Sequence, residues 1–246
     1  MEQEKEAGKR VFIIIDGPDG SGKSTVVHGL AGYLKSKGKR VFDLKDYWKH
    51  SHSLPEPEEL YDYDVIVSAE PTFSLVGGAI RDELVKDNHR FYSAFTTATA
   101  FALDRLILYQ RIIIPLLKKG KTVIQDRSVT TSIVYQPIQA EQISLKKILS
   151  LEGNQLALKY RPDILIIADI KPELCIQRLE GRSEKQDNVI FENLEFQKKA
   201  YKRFKSKWFR KLFEERGSKV AYLDTSRSKE EVVNEAIRIY ECYAKK

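Results

Sequence analysis

Four groups of residues combine types and spacings that suit phosphate and nucleotide chemistry. The first is GPDGSGKST, residues 17–25, with glycines at 17, 20 and 22 ahead of Lys23, Ser24 and Thr25. Glycines let successive backbone N–H groups turn inward and meet phosphate oxygens without Cβ clashes. Lys23 is spaced to reach the outer phosphates of a nucleoside triphosphate, and the Ser24 hydroxyl to face Mg²⁺. Gly17, Pro18, Asp19, Gly20, Ser21, Gly22, Lys23, Ser24 and Thr25 thus form the expected ATP cradle. The second group is QDRS at 125–128, at the end of an apolar run. Asp126 suits Mg²⁺ or its water shell, and Arg127 suits phosphate through its fork of donors. The plainer alternative makes Asp126 a helix cap and Arg127 half of a surface ion pair.

The third group lies in the helical pattern around 98–116, where Ala98, Phe101, Ala102, Arg105, Leu108, Tyr109, Ile112 and Leu116 fall on one stripe. Arg105 is therefore expected in a buried face, one turn beyond Phe101, where it needs an acceptor. An aromatic face and a guanidinium one turn apart suit a flat heterocycle; pairing of Arg105 with a core carboxylate is the structural alternative. Asp104 is expected to point off this stripe. In the fourth group, Arg178 and Arg182 stand four apart at a helix end, followed by Lys185. Cations there can close over a triphosphate and exclude water, or simply form a solvated basic face.

Positioning these groups requires strands that end where they begin. Apolar runs occur at 11–16, 40–44, 64–69, 122–126, 163–169 and 219–224, and most are near-continuous Val, Ile and Leu. Such runs fit parallel strands covered on both faces. Helical patterns fill 23–37, 74–87, about 90–119, 142–160, 172–181, 190–215 and 228–244. The alternation predicts one α/β domain over 11–246, with an open parallel sheet of five strands and helices on both faces. Whether 40–44, 64–69 or both enter the sheet stays open. Residues 1–10 read as a charged flexible tail, 45–63 as an aromatic surface loop with His50 and His52 in a possible metal pair, and 181–190 as a lid.

The 246 residues hold 42 basic and 35 acidic side chains, a net charge of +7 that suits polyphosphate ligands or nucleic acid. The basic, aromatic-interleaved stretch 198–211 reads as an amphipathic helix with a solvated face; a nucleic-acid surface there is the less favoured alternative. No apolar run approaches a membrane span and no secretory signal is visible, so the cytoplasm is the default. Cys175 and Cys242 lack metal-ligand spacing and read as reduced, core or half-buried thiols.

In order along the chain, FIIIDGPDGSGKST, SAEPTFSLVGGAIRDEL, FALDRLILYQRIIIPLLKKGKTVIQDRSVTTSIVYQ, RPDILIIADIKPELCIQRLEGR and YLDTSRSKEEV resemble the thymidylate kinases, P-loop nucleoside monophosphate kinases. The resemblance implies Mg²⁺-dependent transfer from ATP to dTMP, and a homodimer. It implies that Asp19 helps fix the acceptor sugar, Phe101 stacks on the base, Arg105 hydrogen-bonds it and Arg127 holds the acceptor phosphate. Gly20 stands where some members carry an arginine, so Arg182, supported by Arg178, would supply transition-state charge. The Ser226–Arg227 turn is similar to the segment beside adenine. Three departures are Ala69 in place of the family's Arg before Glu70-Pro71, Ser128 in place of Tyr, and an apparent insertion at 45–63. Together they suggest that the insertion folds over the acceptor site and that Lys45, Lys49 or His50 supplies the missing cation. Another (deoxy)nucleoside monophosphate or a nucleoside as acceptor, and a non-catalytic nucleotide-binding protein, are the competing readings.

Overall fold

The computed structural model describes residues 10–86, 88–139, 141–181, 191 and 193–244. Residues 1–9 of the proposed 1–10 tail and most of the proposed lid, including Arg182 and Lys185, lie outside the described residues.

The strands are β1 (Phe12–Asp16), β2 (Val41–Asp43), β3 (Val65–Ala69), β4 (Thr122–Asp126), β5 (Ile164–Asp169) and β6 (Lys219–Asp224). All pair in parallel, in the order β2-β3-β4-β1-β5-β6. The sheet thus has six strands and not five, because both apolar runs between α1 and the middle of the chain enter it. β2 contributes three residues at the edge, a run too short to weigh against β3 by pattern alone.

The helices are α1 (Lys23–Ser36), α2 (Leu44–Tyr47), α3 (Leu75–Ala79), α4 (Ala94–Leu108), α5 (Ile114–Lys118), α6 (Val129–Tyr135), α7 (Leu145–Ser150), α8 (Glu152–Lys159), α9 (Pro172–Glu180), α10 (Leu194–Phe204), α11 (Lys207–Glu214) and α12 (Lys229–Ala244). Alternate strand residues serve two cores, as expected of a doubly covered sheet. Ile13 and Ile15 face α1 and α12 through Val26, Leu30, Val232 and Ala236. Phe12 and Ile14 face the other layer, with Ala98, Leu108, Ile133, Phe204 and Phe209. The expected long helices are interrupted. A widened turn at Tyr109–Ile113 joins α4 to α5. The 142–160 pattern divides at Leu151, and 190–215 divides where Ser206 caps α11 by accepting from the Phe209 N–H at 3.4 Å.

The basic stretch therefore spans two helices, and its aromatics Phe204 and Phe209 belong to the core. Trp208 stays half-exposed beneath the Arg203 guanidinium. Cys175 is buried and Cys242 exposed, beyond the half-burial expected of it. Among the described residues, no helix is long and apolar enough to cross a membrane.

Candidate active site

The carboxyl ends of β1, β3 and β4 open onto one cavity of about 290 Å³. In open α/β sheets this edge is where ligands sit. Gly22 precedes α1 with φ 88°, so the chain turns sharply and the helix aims its first N–H groups at the cavity. Gly20, at φ 77°, lies beneath α9: an added Cβ would stand 2.4 Å from the Cys175 carbonyl oxygen and 3.0 Å from Leu179 Cγ. No larger residue fits there, so position 20 itself can carry no cation for the phosphates.

Lys23 lies within that loop, its Nζ donating to the carbonyls of Pro18 at 2.7 Å and Gly17 at 3.2 Å. Burial, with the Arg127 cation nearby, brings its ammonium down to about 8. Asp16 ends β1 fully buried and accepts from the Gly17 N–H at 2.7 Å and the Thr131 hydroxyl at 2.7 Å.

Asp126 ends β4. Its Oδ2 accepts from Lys45 Nζ at 2.9 Å and from the Ser24 hydroxyl at 3.4 Å, while its buried Oδ1 has no hydrogen-bond partner. Burial raises this carboxyl, but Lys45 and Lys23 outweigh it and hold it below its usual range. An ionised carboxylate with an orphaned oxygen beside a serine hydroxyl fits a hard, oxygen-seeking cation such as Mg²⁺. His50 and His52 are exposed, and no cluster of three or more candidate metal ligands occurs among the described residues.

Arg127 projects into the cavity from a left-handed backbone, φ 68°. It donates to Thr131 Oγ1 at 3.1 Å, to Asp16 Oδ1 at 3.3 Å and, through Nη2, to Asp19. It is thus a partly buried, doubly paired cation and not a surface pair, and Asp126 is not the cap of α6. Asp19 also accepts from the Tyr135 hydroxyl at 3.0 Å and Gln197 Nε2 at 3.3 Å. Burial raises the Asp19 carboxyl, but Arg127 and Lys23 hold it low.

Phe101 lines the far wall with Phe73, whose ring lies 3.7 Å beneath the Arg81 guanidinium. Arg105 does not line the cavity. Only 1% exposed, it donates from Nε and Nη2 to Glu70 Oε2, each at 2.7 Å, from Nη2 to Ser132 at 3.1 Å, and from Nη1 to Asn154. The core-carboxylate alternative describes this arrangement. Burial pushes Glu70 up to about 7 against the pull of Arg105. Asp104, expected off the buried stripe, is itself 3% exposed and accepts from the Thr72 N–H at 2.8 Å and hydroxyl at 2.7 Å.

Arg178 donates to the Thr225 carbonyl at 2.9 Å, and its Nη1 lies 3.7 Å from where a Gly22 Cβ would be. It therefore stands against the phosphate loop. Arg227 pairs with Asp224 at 3.8 Å beyond β6 and does not line the cavity. Ser128 is fully buried, its hydroxyl 3.1 Å from that of Tyr109, and it too does not line the cavity. Tyr135, Gln136, Thr131, Phe73 and Arg81 line the cavity without having been singled out from sequence. One signal was available: Thr131 and Tyr135 stand four apart on one face of α6, which begins just after Arg127. Of the proposed insertion, Lys45 alone of the three named cations reaches the cavity; Lys49 pairs with Asp46 at 2.6 Å on the surface. The rest is no loose loop, since Trp48, Leu54 and Leu60 are buried.

The sequence is similar to those of known proteins. The sequence model of the family described as thymidylate kinase matches residues 57–236. The chain is 33% identical over 205 residues to a thymidylate kinase of Caldicellulosiruptor saccharolyticus, covering 82% of this chain and 86% of that one. It is 28% identical over 228 residues to a thymidylate kinase of Exiguobacterium, covering 92% of each. A probable thymidylate kinase of Thermococcus onnurineus is 33% identical over 184 residues, 72% of this chain and 75% of that one. With a match over most of its length and the phosphate loop and cavity in place, the chain belongs to the thymidylate kinase family.

Proposed function

We propose that the protein transfers the γ-phosphoryl group of ATP to dTMP, giving dTDP and ADP. The observation that carries this reading is the continuity of one cavity from the phosphate loop at Lys23 to the aromatic wall at Phe101. One nucleotide tail and one flat ring fit in line within it. In the transfer, the bond from the γ-phosphorus to the bridging oxygen breaks and ADP keeps that oxygen. The new bond forms to an oxygen of the acceptor phosphate, dianionic near pH 7, so no proton need be removed. Little covalent help is required; positioning and charge do the work.

Gly17 to Thr25 hold the donor phosphates, with Lys23 at the outer ones and Arg178 alongside. Arg182, placed by sequence alone, completes the charge. Ser24 and Asp126 would hold Mg²⁺, which supplies neutralisation of the phosphate oxygens. Phe101 and Phe73 enclose the base. Gln136 presents an amide whose buried oxygen has no partner, suited to the imide edge of thymine. Arg127 fixes one side of the acceptor phosphate, and Asp19, held between Arg127 and Tyr135, faces the sugar.

The protein works as a cytoplasmic homodimer. Phe95 and Leu103, eight residues apart on one face of α4, are 47% and 45% exposed and offer an apolar contact for a second copy. Sedimentation equilibrium checks that assembly. The catalytic reading is tested by ADP release with ATP and Mg²⁺ over a panel of nucleosides and monophosphates. Turnover is expected to be fastest with dTMP; a panel that leaves dTMP unphosphorylated refutes the assignment. Preference for another monophosphate would support the competing acceptor, which the neutral Ala69 and the turned-in Ser128 favour.

A further inference from the structure

The cations in the cavity differ in how firmly the protein already holds them. Lys23 is bound to two backbone carbonyls, and Arg127 is shared by Asp16 and Asp19. Arg81 is held over Phe73, its Nε donating to the carbonyls of Pro71 at 3.1 Å and Thr72 at 3.0 Å. The Lys45 ammonium has one described ion pair, with Asp126. That carboxylate is also approached by the Ser24 hydroxyl and is the group best suited to a metal, so its charge is divided.

The sheet register explains how Lys45 arrives there. β2 and β3 pair as far as Asp43 with Val67, and Lys45 follows two residues later in α2; Ala69, two residues beyond Val67, is paired with Asp126 on β4. Lys45 Nζ, 2.9 Å from Asp126 Oδ2, thereby joins Ala69 and Asp126 in one row along the carboxyl edge, all three lining the cavity. Asp43 starts α2 by accepting from the Lys45 N–H at 2.8 Å, so the turn that ends the edge strand swings this lysine over the row. Ala69 supplies no charge at the centre of the row. In the strand order, Lys45 lies on the side of the phosphate loop away from β5 and β6, the side that also carries Phe101 and Phe73.

We infer that Lys45, contributed by the segment between β2 and β3, is a ligand of the acceptor's phosphate and a determinant of monophosphate over nucleoside binding. The inference rests on the phosphotransfer reading above. Among the described residues, an entering dianion would without Lys45 meet on this side only Arg127, already divided between two carboxylates, and Arg81, held by carbonyls. A side chain 24% exposed on a short helix has room to turn from Asp126 to such a dianion.

The test is equilibrium calorimetry with Mg²⁺ and a non-hydrolysable ATP analogue, titrating dTMP and thymidine into the full chain and its Lys45→Ala and Lys45→Arg variants. The unsubstituted protein is expected to bind dTMP more tightly than thymidine. Lys45→Ala should weaken dTMP by about ten- to a hundredfold, the loss of one charge-assisted hydrogen bond. Thymidine and the ATP analogue should stay within about twofold, which also shows the variant to be folded, and Lys45→Arg should recover most of the loss. Unchanged dTMP affinity in Lys45→Ala overturns the inference while leaving the kinase reading intact; so does a loss confined to the ATP analogue, which would place Lys45 on the donor. If the unsubstituted protein does not prefer dTMP to thymidine, the acceptor assignment itself falls, and the role of Lys45 falls with it.

Discussion

Replacing Glu70 by alanine should destabilise this protein more than replacing its partner Arg105 by methionine. Arg105 is 1% exposed and Glu70 3% exposed, and two of the arginine's described hydrogen bonds end on one carboxylate oxygen. Removing the carboxylate leaves a guanidinium that cannot shed its proton, with Ser132 and Asn154 as its remaining partners. Breaking a buried pair in this way costs about 3–5 kcal/mol. For a chain of this size each kcal/mol moves the melting temperature by roughly 2–4 °C, so Glu70→Ala should melt about 6–20 °C lower. The opposite deletion leaves a carboxyl that can escape by taking a proton, since burial already pushes it up to about 7 even with Arg105 present. Its folded value lies above its unfolded one, so it binds protons more readily in the folded state. In Arg105→Met, stability should therefore be greatest in acid and fall as pH rises from the unfolded value near 4.5 through and beyond 7. The gap between the two variants should be widest at the acid end of the range and narrow as pH rises through and beyond 7. Thermal melts followed by circular dichroism from pH 5 to 9 decide the matter. Equal melting temperatures for Glu70→Ala and the unsubstituted protein, or an Arg105→Met profile that rises with pH, would refute this account of the pair.

Four further outcomes follow from the site. Lys23, brought down to about 8, should lose its proton in the free protein as pH rises through that value, so kcat/KM for ATP should decline above it; a profile flat to pH 9.5 contradicts the placement. Lys23→Ala should abolish turnover and leave the melting temperature nearly unchanged, because its bonds are to carbonyls at the cavity wall. Gly20→Ala forces a Cβ to 2.4 Å from the Cys175 carbonyl at a φ of 77°, so α9 must shift; strain of this kind costs on the order of 1–3 kcal/mol, and ATP affinity measured by calorimetry should fall with stability. Asp126→Asn keeps the shape but weakens the hold on a cation, and the Mg²⁺ concentration for half-maximal rate should rise about tenfold or more, with dTMP affinity less affected.

The residues of the phosphate loop were legible because their work is local. A strand end, three glycines and a helix start lie within fourteen residues, and no distant partner is needed to read them. Asp126 and Arg127 were legible by the same logic, as the last polar groups after a buried strand. What pattern could not reach was which buried charges answer which. Arg105 sits on the stripe its spacing predicts, yet its choice between a ligand and Glu70 depends on β3 lying beside β4, which brings position 70 within reach of α4. Asp104 was misjudged for the same reason: its acceptor role comes from the Thr72 loop folding back over α4, a contact 32 residues distant in sequence. The edge of the sheet repeats the lesson at the site itself. The run at 40–44 reads as a strand, but nothing in it says whether or beside which neighbour it enters the sheet, so the row that joins Lys45 to Ala69 and Asp126 exists only in the assembled fold. A cation can then move one strand sideways along a sheet edge and still face the same ligand, because adjacent parallel strands stand about 4.8 Å apart and a lysine stem spans more than that. Compensation of this sort leaves no mark at the position that lost the charge.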